Sequence, residues 1–146
     1  MTINTGAALF EYGAQLTVIS DASAIASTSF NAGTVTALTQ TDFCSLADAV
    51  LDITLAVAPA AGKAAHLYRR DKNIDGVNHA PVPDANFKNI YVGSFPLDLV
   101  ATRQFISLTD IPLTKDQEFY IENDSGQSTI GTTILKVTPK SYNAKA

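Results

Sequence analysis

Six consecutive residues, Asp71-Lys72-Asn73-Ile74-Asp75-Gly76, have the spacing of the first half of a calcium loop. Oxygens of Asp71, Asn73 and Asp75 would converge on one ion, and Gly76 would let the chain turn sharply. The second half departs from that pattern. The twelfth position counted from Asp71 is Val82 rather than Glu, and Asp84 comes two residues late. The flanks read as strand and loop, not as helices. The reading that needs no ion is an Asx-rich turn, in which Asn and Asp side chains bond their own backbone. No cofactor is expected.

Other reactive groups are sparse. The two histidines, His66 and His79, are separated by strand and loop sequence, and neither has metal-ligand spacing. Cys44 is the only cysteine, so no internal disulfide can form, and its Ala-, Thr- and Leu-rich surroundings suit a small buried hydrophobe. No serine lies in a nucleophile-elbow pattern. The carboxylate pairs Asp48/Asp52 and Glu118/Glu122 fall at even spacing on strand-like sequence, which makes them a polar sheet face before it makes them an acid and a base. Tyr68, Tyr91, Phe95 and Tyr120 could form a sugar platform or fill a sandwich core. The chain is therefore read as non-enzymatic.

Composition limits the partners. Charged residues are 16% of the chain against roughly 25% in an ordinary soluble domain, which suits a surface partly covered by other proteins. The net charge is −4, and the only basic group, Arg69-Arg70 with Lys72, is too short for a nucleic-acid stripe. Its simplest reading is the solvated end of a strand. No run approaches the roughly 20 apolar residues that span a bilayer, and the start of the chain carries no signal-peptide pattern. Neither nucleic acid nor membrane is expected as a partner, and synthesis in a reducing cytoplasm is.

The elements that would carry these residues read as β. Leu16–Ser20, Gly33–Thr39, Val50–Val57, Ala64–Arg70, Asn89–Phe95, Gln104–Leu108, Glu118–Glu122 and Thr129–Thr138 alternate with period two and are separated by turn residues. Leu51, Ile53, Leu55 and Val57 share one face. Ala65, Leu67 and Arg69 oppose His66, Tyr68 and Arg70. Tyr91, Gly93 and Phe95 oppose Ile90, Val92 and Ser94. Asn123-Asp124-Ser125-Gly126 is a hairpin turn. Thr41–Leu51 also carries a helical spacing with Asp42 as a cap. About eight strands imply an all-β fold, a jelly-roll-like β-sandwich over residues 16–146, preceded by an extended N-terminal arm over 1–15. The long Asp71–Lys88 segment is the one loop of uncommon length, which marks it as functional or mobile.

Several stretches carry a resemblance. Leu67-Tyr68-Arg69-Arg70-Asp71-Lys72-Asn73-Ile74-Asp75-Gly76, Pro81-Val82-Pro83-Asp84 and Tyr91-Val92-Gly93-Ser94-Phe95 are similar to segments of small virion structural proteins of tailed bacteriophages. So are Asp110-Ile111-Pro112-Leu113, Glu118-Phe119-Tyr120-Ile121-Glu122-Asn123 and Leu135-Lys136-Val137-Thr138-Pro139-Lys140-Ser141-Tyr142. The resemblance spans residues 50–142 and consists of strand and turn patterns, not catalytic motifs. It implies a jelly-roll decoration (cement) protein on the capsid surface of the virion, with the major capsid protein and further copies of itself, as homodimer or homotrimer, as partners. A tail or adsorption component and a carbohydrate-binding module are the alternatives. Contacts are expected from the arm and the loop: Phe10, Tyr12, Arg69, Arg70, Ile74, His79 and Phe87.

Overall fold

The computed structural model describes residues 8–40 and 44–144. In chain order the strands are β1 (Ala8–Tyr12), β2 (Leu16–Asp21), β3 (Ser29–Phe30), β4 (Thr34–Val35), β5 (Leu38–Thr39), β6 (Leu46–Ile53), β7 (Ala64–Asp71), β8 (Ile90–Pro96), β9 (Gln104–Pro112), β10 (Asp116–Asp124) and β11 (Thr133–Ala144).

Four antiparallel pairs set the topology: β2 with β11, β3 with β10, β6 with β9 and β7 with β8. They are nested in sequence, outermost strand with outermost and innermost with innermost. One long hairpin wrapped on itself gives this nesting, and that is a jelly roll. Wrapping sets β6 beside β11 and β7 beside β10. One sheet then runs β4-β2-β11-β6-β9 with β1 added to β11, and the other runs β3-β10-β7-β8 with β5 added to β10. Between them Leu51, Ile53, Leu135, Val137 and Ile111 of the first sheet meet Leu67, Phe95, Phe119 and Ile121 of the second, all buried. Burying two such apolar faces is the main force holding the sandwich.

Several expectations change. The helical spacing in Thr41–Leu51 loses to period two: from Leu46 onward the chain is β6, with Ala47, Ala49 and Leu51 turned inward, while residues 41–43 lie outside the described residues. Val57 is exposed, because β6 ends at Ile53 and only Leu55 continues, in a single bridge to Thr129. Gly33–Thr39 is two short strands rather than one: β4 joins the first sheet and β5 the second, and Thr36 N–H donates to Val18 O (2.8 Å). A register shift where Leu67 and Tyr68 face β8 puts Tyr91 on the outer face and Phe95 in the core, so they do not share a side.

Of the expected arm, residues 1–7 lie outside the described residues. Ala8–Tyr12 pairs with residues 140–144 of the same chain, Phe10 standing opposite Tyr142. Gly13 N–H donates to Pro139 O (2.8 Å). After this interruption β2 continues along the same side of β11, so the described part of the arm lengthens its own sheet.

Candidate functional site: the roofed face of the second sheet

The outer face of the second sheet is the unusual surface of this fold. Alternation turns His66, Tyr68 and Arg70 outward on β7, and Glu118, Tyr120, Glu122 and Asp124 outward on β10. Register places Arg70 opposite Glu118, Tyr68 opposite Tyr120 and His66 opposite Glu122. An outward face is ordinarily solvated, yet Tyr68 and Glu118 are each 8% exposed, Tyr120 6% and Glu122 5%. Segment 72–89, which links β7 to β8, helps to roof them.

Hydrogen bonds fasten that segment along its length. Lys72 N–H donates to Asp116 O (2.9 Å) and Ala80 N–H to Asp71 O (3.0 Å). Arg70 Nη1 donates to Ala80 O (3.2 Å), and Asn89 Nδ2 to Pro81 O (3.0 Å). Lys88 Nζ reaches Glu122 Oε1 at 2.5 Å. Pro83, within the segment, is buried.

The charges under the roof are paired, as burial requires. Glu118 takes Arg70 Nε and the Tyr120 hydroxyl on Oε2 (2.6 and 2.7 Å) and Lys72 Nζ on Oε1 (3.0 Å). Burial pulls its carboxyl up, but these donors from Tyr120, Lys72 and Arg70 outweigh it and hold the group below its ordinary value. Burial and Glu118 push the Tyr120 phenol well up. Burial and a hydrogen bond to Glu122 also raise the Tyr68 phenol. The aromatic rings form a run: Phe30 to Tyr68 at 5.5 Å, Tyr68 to Tyr91 at 5.6 Å and Tyr91 to His66 at 6.2 Å between centroids.

The calcium-like run forms an Asx turn. Asp75 Oδ1 accepts from the N–H groups of Val77 and Asn78 (3.1 and 2.7 Å), and Oδ2 from Asn78 Nδ2 (2.6 Å). The Asn78 bonds come first in holding the Asp75 carboxyl down to about 2. Asp71 accepts from the Thr114 hydroxyl (3.1 Å), and Asn73 Nδ2 donates to Asp116. Asn73 and Gly76 take positive φ (51° and 90°) to make the turn. Among the described residues no group of three or more His, Cys, Asp or Glu is placed to hold a metal ion.

The expected contact residues separate into two kinds. Ile74, His79 and Phe87 are exposed on the loop and Tyr12 on β1. Arg69 and Arg70 are not a solvated strand end. Arg69 Nη1 donates to Pro112 O (2.8 Å), Arg70 is committed to Glu118 and Ala80, and their side chains are only 12% and 16% exposed. Neither guanidinium is presented outward: the loop covers Arg70, and Arg69 turns to the other side of β7 and reaches Pro112 of β9. The sugar-platform residues also separate: Phe95 is core, Tyr68 and Tyr120 are roofed, and Tyr91 is exposed. The other carboxylate pair is neutralised on the first sheet, Asp48 by Lys140 (2.6 Å) and Asp52 by Arg103 (2.5 Å).

Sequence reasoning missed Lys88 and Asp124 as partners of this face, and missed the apolar side chains beyond Ile74 and Phe87. Val77, Val82, Ile90 and Tyr91 also stand in water on segment 72–91. Their clustering between Asn, Pro and Gly residues was the available signal. A 390 Å³ cavity opens beside the roof between Thr28, His66, Tyr68, Ala85, Lys88, Glu122 and Asp124. A second, of 550 Å³, lies at the Asx turn against Thr39, Thr114 and Asp116. No family model, no curated protein and no solved structure matches this chain.

Proposed function

We propose that this chain is a non-enzymatic structural protein of a tailed-phage virion, a decoration subunit that binds the outer capsid shell and reinforces it. The observation that carries this reading is the fastened apolar loop. Ile74, Val77, Val82, Phe87, Ile90 and Tyr91 are held in water on a segment tied to the sheet from both ends. Keeping large apolar side chains exposed on an ordered support suits docking, since little conformational freedom remains to be lost on binding. The resemblance of residues 50–142 to phage virion proteins supplies the class of partner, the major capsid protein. Self-association as a dimer or trimer would let weak contacts add up over a repeating shell.

The test is co-sedimentation of the purified protein with particles stripped of it. Saturable binding, in proportion to the number of capsomers, is the expected result. Failure to bind shells at any protein concentration contradicts the proposal, and binding restricted to tails replaces it with the tail reading.

A further inference from the structure

We infer that β9 is the surface through which this chain binds a second copy of itself: two β9 strands pair antiparallel about a two-fold axis at Ser107. This gives the self-association in the reading above a surface, and it rests on the sheet edges rather than on the capsid.

The sandwich has two open sides of unequal kind. On one, β3, β4 and β5 have two residues each and β1 five; on the other, β8 has seven and β9 nine. A long edge presents a row of backbone N–H and C=O groups whose natural partner is another strand. Short strands, lysine, proline and bulges are what blunt such an edge. Of the two long edges, β8 carries Gly93 at its centre and Pro96 at its end, both poor in a paired strand. From Gln104 to Ile111, β9 has no Lys, Arg, Gly or Pro. A bulge marks its far end, where Thr109 and Asp110 together oppose Asp48 and Asp110 takes positive φ (58°). Gln104–Leu108 is left as a straight run, paired with β6 on one side and with no strand of the described residues on the other.

Burial along this run is incomplete. Ile106 and Leu108 pack against the core yet stay half-buried, as does Val92 on β8. Phe105, on the outer face, is 65% exposed. A strand laid along β9 covers these side chains.

The run complements a second copy of itself. Residues opposite each other in an antiparallel pair share a face. With Ser107 on the axis, Ile106 of each copy meets Leu108 of the other on the inner face, and Phe105 meets Thr109 on the outer. Moving the axis to Ile106 would set Leu108 against Gln104. The ends match in charge as well. Arg103 and Asp110 flank the run, their side chains 62% and 61% exposed although each has an ion-pair partner in its own chain. Antiparallel pairing brings Arg103 of each copy toward Asp110 of the other, twice per dimer, as a two-fold interface requires. Parallel pairing would set like beside like.

The test is sedimentation equilibrium of the purified protein, with a dimer of twice the 15.5 kDa chain mass expected and a Kd on the order of 10 μM. Ser107→Lys puts two ammonium groups opposite each other on the axis and should weaken the dimer at least about tenfold. Val77→Lys, in the exposed loop, should leave it unchanged. Should Ser107→Lys fail to fold by circular dichroism, Thr109→Lys is read instead. Ser107→Cys should give a cross-linked dimer on mild oxidation, whereas the wild type, with Cys44 alone, should not. A protein that stays monomeric at about 100 μM overturns the inference. So does a trimer, a dimer indifferent to the β9 variant read, or a Ser107→Cys protein that cross-links no better than wild type. Loss of co-sedimentation with particles strikes the capsid reading alone.

Discussion

Arg70 and Glu118 face each other across β7 and β10, with the Arg70 Nε donating to Glu118 Oε2 at 2.6 Å beneath the 72–89 segment. The pair ties the sheet to its roof, because the same guanidinium donates to Ala80 O through Nη1. Removing one partner of a mostly buried ion pair leaves the other uncompensated. Glu118→Gln should therefore cost about 3 kcal/mol, from Arg70 and Lys72 together. Lys63→Ala, which breaks an ion pair at the surface, should cost under about 0.5 kcal/mol. Urea unfolding with unchanged slope measures both. Equal, small effects would remove the pair from the account of the roof.

Acid should loosen the loop and the sandwich in a defined window. Asp21, Asp75 and Glu118 all titrate below their ordinary values when folded. For Asp21, burial pulls upward, but N–H groups of Ser23, Gly33 and Ala32 outweigh it. A carboxyl lowered by folding contributes stability above its ordinary value and loses it as pH falls through the folded one. Stability should hold from neutrality to about pH 4.5 and fall below that. The Asp75 carboxyl should titrate near pH 2 when followed by carboxyl NMR, and a midpoint at its ordinary 3.8 would mean that the Asx turn is not formed.

Two glycines separate a rigid contact from a yielding one. A Cβ on Gly33 would stand 2.5 Å from the Asp21 Cα, which is backbone, whereas one on Gly93 would stand 2.6 Å from Leu108 Cδ2, the end of a side chain. Gly33→Ala should cost about 2–3 kcal/mol and Gly93→Ala about 1 kcal/mol or less, as Leu108 turns aside. Thermal and urea denaturation order the two, and the reverse order would contradict this packing.

The exposed loop should be dispensable for folding and required for docking. Ile74 and Phe87 are 65% and 48% exposed. Their replacement by serine should change stability by less than about 0.5 kcal/mol. Binding to stripped particles should weaken at least about tenfold in the double variant, measured by co-sedimentation. Full binding by this variant would move the contact elsewhere on the jelly roll.

How much of this was legible in the sequence depended on the range of the interaction. Leu51 with Ile53, and Phe119 with Ile121, announce their strands because period two is local and their faces are fully buried. The turn at Gly126 was legible for the same reason, with φ of 78° favouring glycine, but the hairpin expected there does not form, because β10 and β11 belong to different sheets. The nesting of β2 with β11 joins residues far apart in the chain and leaves no local trace. The face taken by Tyr91 depended on a register shift opposite Leu67 and Tyr68, which alternation alone cannot show. Arg69 and Arg70 looked solvated because nothing in their neighbourhood reveals that residues 72–89 fold back over Arg70 or that β9 lies within reach of Arg69. The site was thus half legible. Its loop was visible as a length anomaly, and the charged aromatic face that the loop covers was not.

The central claim is that this jelly roll is a virion subunit that docks through its fastened loop. A cryo-EM map of stripped tailed-phage particles to which the purified protein has been added back tests it most directly. The account expects β-sandwich density on the outside of the shell, with segment 72–91 turned toward the capsid protein. A shell with no such density, or one on which the loop points into solvent, would contradict it.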